Sequence, residues 1–162
     1  MILVLHAAPG QRLPAGVREP LGALATRLRP RTLRVHIVAA GDGLVRRLNR
    51  EFRDLDRTTD VLSFLYESKP GLDAFDPDAE IYISMPVAAR QARRRGHPLR
   101  EEFMVLALHG LLHVQGYDHD ARADERRMRA AEQRHLQWLV HHWPRWTPRP
   151  MLAVPRGRPA AR

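Results

Sequence analysis

Hydrophobic positions along the 162-residue chain repeat with period 2 in some segments and 3.6 in others, without an internal repeat or linker. Ile2–His6 reads as a strand; the opening run is too short, and lacks the basic start, for a secretory leader. Val17, Leu21, Leu24 and Leu28 are spaced as one face of a helix that stops before Pro30. Thr32–Val38 is expected as a second strand, with Leu33, Val35 and Ile37 on one side. Asp42 is placed to cap a helix running to about Phe52, with Leu44, Val45 and Leu48 inward. Val61–Tyr66 and Glu80–Met85 read as strands around a loop rich in Pro, Gly and Asp, from Glu67 to Asp78. Pro86 suits the first turn of a helix that ends at Gly96, and Leu99–Val114 is a strongly apolar helix closed by Gly116. Ala121–His142 completes the pattern as a long final helix. About four strands with helices behind them predict one unit of α+β or α/β class.

Composition sharpens this picture in three ways. Apolar residues make up 44% of the chain, ample for a single core. There is no cysteine, which excludes disulfide frameworks, thiolate zinc sites and thiol nucleophiles, and fits the cytoplasmic setting expected here. No apolar run approaches the roughly 18 residues of a membrane span, so no membrane partner is expected. The net charge of +9 is uneven: residues 143–162 hold five Arg and no acid, leaving +4 for residues 1–142. That segment also holds five of the 13 prolines and shows no period, so it is expected to be a flexible basic tail behind a domain spanning 1–142. The body is only mildly basic, and total charge is weak ground for nucleic-acid binding. Of the 27 basic residues 26 are Arg, which coding bias explains simply and two-pronged phosphate recognition explains functionally.

The most informative stretch is Leu108–Asp120, LHGLLHVQGYDHD. His109 and His113 are four apart on a helix, so both imidazoles leave the same face. Gly116 then permits a left-handed residue that turns the chain, and the turn can bring His119 towards them. Three neutral imidazoles with an open fourth position form the ligand set of a catalytic zinc site, the open position holding water. A lone His on an apolar helix is more often a core residue; three at the spacing H-x3-H-x5-H around a glycine favour a metal. The spacing also matches the metzincin pattern, except that Gly110 stands where a peptidase carries its general-base Glu. The metal site is present on paper and the protease's catalyst is missing.

HGLLHVQGYDH resembles the H-G-x-L-H-x-x-G-Y-D-H signature of the YbeY family of metal-dependent endoribonucleases, also called rRNA maturation factors. A second block, LNREFRDLDRTTDVLSF over Leu48–Phe64, resembles the family's L-N-x-x-[YF]-R-x-x-D-x-x-T-D-V-L-S-F segment, and Met128 with Glu132 fits its M-x-x-x-E pattern. The resemblance covers roughly residues 30–140. Two departures stand out: Thr58 replaces the usual Pro, and Ala79-Glu80 replaces the usual Gly-Asp. The resemblance implies a zincin-like α+β fold with a mixed sheet and one zinc ion at a three-His centre. It also implies cleavage of single-stranded RNA, maturation of the 16S rRNA 3′ end, and ribosome quality control with the small subunit and its associated proteins as partners.

Individual roles follow from chemistry and motif together. Arg53 sits at the motif's Arg and is the candidate for phosphate charge; the bland reading pairs it with Asp54 or Asp56 at a helix end. With His113 it makes the catalytic pair expected here. The general base stays open between a metal hydroxide, a substrate phosphate oxygen and a carboxylate. Asp60 and Ser63 are expected to be structural or to support the ligands from behind. Asp118 either orients an imidazole or braces the loop, and Glu132 either bonds back to the histidines or pairs with Arg129. Tyr117 is expected in packing. The basic run Arg90–Arg95, with Arg90, Arg93 and Arg94 as the candidate RNA-binding residues, is either an RNA contact or a solvated face. His6, His36, His97, His135, His141 and His142 have no ligand spacing to the trio. Two rival functions remain at this point: a zincin-type metallopeptidase, which Gly110 opposes, and a ribosome-associated factor without hydrolysis of its own.

Overall fold

A computed structural model describes residues 1–28, 33–66, 76–117, 122–146 and 148, with the main chain alone at 122 and 123. Its elements run β1 (Ile2–Ala7), α1 (Arg18–Arg27), β2 (Arg34–Ala40), α2 (Asp42–Arg53), β3 (Val61–Leu65), β4 (Ala79–Ser84), α3 (Met85–Arg95), α4 (Leu99–Val114) and α5 (Arg122–His142). The four strands form one mixed sheet in the order β1-β2-β4-β3. β1 and β4 flank β2 in parallel, with Leu5 opposite Ile37 and Ile37 opposite Ile81. β3 closes the edge antiparallel to β4, placing Ser63 opposite Ile81. Parallel neighbours need crossovers, which α1 and then α2 with β3 supply. The architecture is therefore α+β in one domain, as the patterning and the family resemblance both indicated.

Strand alternation decides the layers. Val35, Ile37, Ala39, Ala79, Ile81 and Ile83 face one side and meet α1, α4 and α5 in the main core. On the other face α2 covers a smaller cluster in which Val45 packs with Ala40 and Leu62, flanked by Leu44, Leu48, Phe64 and Tyr82. The central element is α4. Every residue from Glu101 to Val114 except His113 is buried, so the helix shows no polar stripe and lies between sheet and helices.

The element ends show where local signals prevailed. α3 starts with Pro86 in its first turn, Ser84 Oγ accepts a bond from Val87 N (3.3 Å), and Gly96 at φ 67° closes it. Asp42, expected to cap α2, does not: the cap position is Gly41. The Asp42 carboxylate instead accepts bonds from Ser84 Oγ (2.5 Å) and Thr58 Oγ1 (3.3 Å), tying α2 to the start of α3 and to the loop before β3. β2 continues two residues past the expected Val38 because pairing with β4 carries it to Ala40, opposite Ser84. Most of the loop expected from Glu67 to Asp78 lies outside the described residues.

Core packing extends past the expected domain end at residue 142. Trp143 and Trp146 pack on the main core, Trp146 being only 7% exposed, with the Arg100 guanidinium 5.5 Å from its ring centroid. Large aromatic rings contribute much apolar contact area per residue, so two indoles can hold this stretch against the core despite Pro144. Of the segment 143–162 expected to be a flexible tail, residues 147 and 149–162 lie outside the described residues.

Two buried polar groups show what this packing costs. At the α3–α4 turn, buried Glu102 accepts from His97 Nε2 (2.6 Å) and faces Arg95 Nη1 at 3.1 Å, which compensates its loss of water. On α5, His135 is 8% exposed. Burial, and then the nearby Arg27 and Arg134, push its pKa down to about 4. An unfolded His titrates near 6.5, so on acidification the unfolded chain takes up this proton first. The stability His135 confers is complete above about pH 6.5 and is lost as the pH falls from there towards 4. We expect parent and His135→Leu to diverge in thermal melts between pH 7.5 and 5, the parent losing ~1–2 kcal/mol more than the variant. Parallel pH profiles would show that His135 is already solvated.

Candidate metal centre

His109 and His113 lie one turn apart near the C-terminal end of α4. Their Nε2 atoms are 3.1 Å apart and their rings meet at 76°. The helix then ends at Gln115, and Gly116 at φ 89° reverses the chain, with Gly116 N bonded to His113 O and Tyr117 N to Leu112 O. Tyr117 packs on the main core, as expected of it. His119 and Asp118 follow in residues 118–121, outside the described residues. Among the described residues no three His, Asp or Glu side chains converge as a metal-binding group.

The two imidazoles nevertheless fit a shared cation on their own geometry. His109 Nδ1 is 2.5 Å from Glu132 Oε1, and this carboxylate is 3% exposed. With Nδ1 turned to this buried carboxylate, Nε2 is the nitrogen that faces His113. Two nitrogens each ~2.0–2.1 Å from one tetrahedral ion lie ~3.3 Å apart, close to the spacing observed. Of the two roles open to Glu132, the structure places it against His109, because Arg129 is taken by Glu125 at 2.6 Å.

Gly110 explains how α4 comes so near the sheet. A Cβ there would stand 2.6 Å from Ile81 Cγ2 and 3.0 Å from Ser63 Oγ. Both belong to the paired central residues of β3 and β4, so the helix rests directly on the strands. The position that a metzincin gives to its general base is here a backbone contact with no room for a side chain.

The remaining candidates separate into those near this helix and those elsewhere. Arg53 ends α2 and is exposed, its Nη2 loosely set 3.5 Å from Ser63 O. Its expected rival partner Asp56 is held by Arg46 in a two-pronged pair at 2.8 and 2.7 Å, which lowers the Asp56 pKa. Ser63 thus stands between the Arg53 guanidinium, at its carbonyl, and Gly110, at its hydroxyl. Asp60 is occupied structurally: it accepts from Val61 N and from Gln91 Nε2, both 2.9 Å, bracing β3 to α3. Glu80 accepts the Tyr66 hydroxyl at 2.5 Å on the sheet face turned away from α4. The basic run of α3 is divided. Arg90 lies 3.7 Å from Asp42 in an exposed pair, Arg93 and Arg94 point to solvent, and Arg95 turns in to Glu102. His97, set aside as ordinary, is part of that buried network; its sequence signal was the acidic pair four and five residues on, Glu101 and Glu102.

In this α+β domain a carboxylate-supported imidazole, His109, and its neighbour His113 sit at the end of a helix that rests on a mixed sheet. The family model for Endoribonuclease YbeY matches residues 10–140, and the chain belongs to that family of endoribonucleases. A Thermus thermophilus Endoribonuclease YbeY is 39% identical over 136 residues, covering 83% of this chain and 96% of that one. The Heliobacterium modesticaldum protein of the same name is 42% identical over 122 residues, covering 67% and 72%. The fold is also that of TM1509 from Thermotoga maritima, whose solution structure matches with a TM-score of 0.61 at 23% identity over 89% of this chain and 93% of that one. No helix among the described residues is long and apolar enough to cross a membrane.

The close contact at Gly110 carries a prediction. Gly110→Ala gains up to ~1 kcal/mol in helix propensity, but its methyl meets a rigid, fully buried Ile81. Overpacking at ~1–3 kcal/mol should prevail, giving a net destabilisation of up to ~2 kcal/mol in denaturant titration. Gly110→Glu should be less stable still and should not cleave casein, although it restores the metzincin pattern. A stable Gly110→Glu variant with metal-dependent proteolysis would show that only a base was lacking.

Proposed function

We propose that the chain is a metal-dependent endoribonuclease that hydrolyses single-stranded RNA with one divalent ion, zinc, held by His109, His113 and His119. The carrying observation is the pair of Nε2 atoms 3.1 Å apart, with Glu132 on the far side of His109. A bound ion of this kind supplies Lewis-acid polarisation of a phosphoryl oxygen and acidifies a water molecule. The chain's own contribution is positioning. Glu132 holds the His109 ring and keeps its proton on Nδ1, and Gly110 fixes the height of both rings above the sheet. Arg53, exposed beyond Ser63, offers its planar fork to the equatorial phosphoryl oxygens as charge develops. The proton acceptor is a group brought by substrate or solvent, since the helix position used in peptidases is filled by the sheet. In the cell, the family resemblance favours maturation of the 16S rRNA 3′ end and ribosome quality control in the cytoplasm, with the small ribosomal subunit as partner. Arg93 and Arg94 are available to further phosphates.

Two variants separate metal binding from phosphoryl chemistry. His113→Ala should lose stoichiometric metal by elemental analysis, whereas the exposed His141→Ala should keep it. Arg53→Ala should keep its metal and its melting temperature, and cut single-stranded RNA ~10²–10³-fold more slowly in single turnover. Arg53→Lys should recover little, because an ammonium lacks the two-pronged geometry. Parental cleavage by Arg53→Ala would place the phosphate clamp elsewhere, and full metal in His113→Ala would refute the ligand set.

A further inference from the structure

Five large apolar side chains stand conspicuously exposed among the described residues, and three of them gather about the end of β3: Leu65 and Tyr66 in sequence, and Phe52 through its contact with Phe64. Phe52 continues the inward row Leu44–Leu48 of α2 by one more turn, yet it is 60% exposed. It is also held in a fixed attitude. The Phe64 ring meets it edge-on with centroids 5.2 Å apart, and Tyr82 in turn braces Phe64 at 6.1 Å. A T-shaped aromatic row anchored on two neighbouring strands fixes the outermost ring while leaving it open to solvent. The next residue along the chain is Arg53, which leans over the Ser63 carbonyl towards the helix that carries His109 and His113.

The geometry points to Phe52 as a base-stacking platform: one unpaired nucleobase of the RNA substrate stacks on its ring while the neighbouring phosphate meets Arg53. This rests on RNA as the substrate and not on the metal chemistry proposed above. Aromatic–base stacking is tolerant of sequence because every base has a π face. It is also closed to a base engaged in a duplex, so the platform selects unpaired RNA. Long-range attraction is a minor contributor here. Over residues 42–56 four Arg are balanced by four acids, and Arg46 is committed to Asp56. Removing Phe52 should therefore lower affinity without changing its salt dependence, which counts phosphate contacts.

The test is equilibrium binding of a fluorescently labelled, 2′-O-methylated single-stranded decanucleotide, which resists cleavage, to the metal-loaded full chain at several salt concentrations. Phe52→Ala should bind about 5- to 100-fold more weakly than the parent, with an unchanged slope against salt and an unchanged melting temperature. Phe52→Trp should bind at least as tightly as the parent, and Phe52→Leu about as weakly as Phe52→Ala, because an aliphatic group keeps the apolar area and loses the π face. An oligonucleotide with abasic positions should lose affinity for the parent and lose nothing more for Phe52→Ala. Equal affinity of parent and Phe52→Ala overturns the proposal, as does full affinity of Phe52→Leu. So does a parent dimer that Phe52→Ala dissociates with RNA affinity unchanged, which would assign the patch to a second copy of the chain. If the parent binds through Phe52 yet proves inactive without or with metal, the hydrolytic reading fails and the platform stands.

Discussion

The contact that organises this molecule is the seating of α4 on the sheet at Gly110, where a single added carbon would stand 2.6 Å from Ile81. Helices ordinarily keep their distance from a sheet through their side chains, and here one side chain is absent at the closest point. The consequence reaches both motifs. His109 is the next residue along the helix, and Ser63, on the strand beneath, is also where Arg53 comes to rest. Two sequence blocks separated by more than 40 residues are thus held together by one backbone-to-strand approach. Because core packing is dense and rearranges in discrete steps, a shift at this point would move both groups.

A second constraint is electrostatic. α4 is buried on nearly all sides, yet it carries Glu101, Glu102 and His109 into the interior, and α5 adds Glu132. Each such group loses water and requires a partner. Glu102 is met by His97 and Arg95, which join the turn between α3 and α4, and Glu132 is met by His109. The second pairing does more than satisfy a buried charge. It also turns the Nε2 of His109 towards His113, 3.1 Å away. Stability and the chemistry of the site draw on the same buried carboxylate.

The two faces of the sheet divide their duties unequally. The face towards α4 is closed, aliphatic and supports the imidazoles. The other is only partly covered by α2, and its aromatic residues emerge at the β3 edge beside Arg53. Helix α2 is amphipathic along its length, and Phe52, next in the inward row after Leu48, meets the Phe64 ring edge-on at the sheet's margin and stays largely exposed.

The sequence by itself determined the elements and narrowed their class to α+β or α/β. Periods of 2 and 3.6, with Pro86, Gly96 and Gly116 as punctuation, are local properties that backbone sterics read directly. It also determined that His109 and His113 share a face, since four residues on a helix fix that without reference to anything else. What it left open was every choice between two partners. Glu132 had Arg129 within helical reach and His109 only through the fold; Arg53 had Asp56 nearby in sequence and Ser63 only through strand pairing. Asp42, expected to cap its helix, reaches Ser84 instead. In each case packing of α4 and α5 on the sheet brought a distant group closer, or gave the near one to a competitor such as Glu125 or Arg46. The same holds for Gly110, whose missing side chain signalled an absent base in the sequence and only in three dimensions became the point where helix and sheet touch. Such outcomes depend on distances between elements, which crossover connections and core volume set, and no local pattern encodes them.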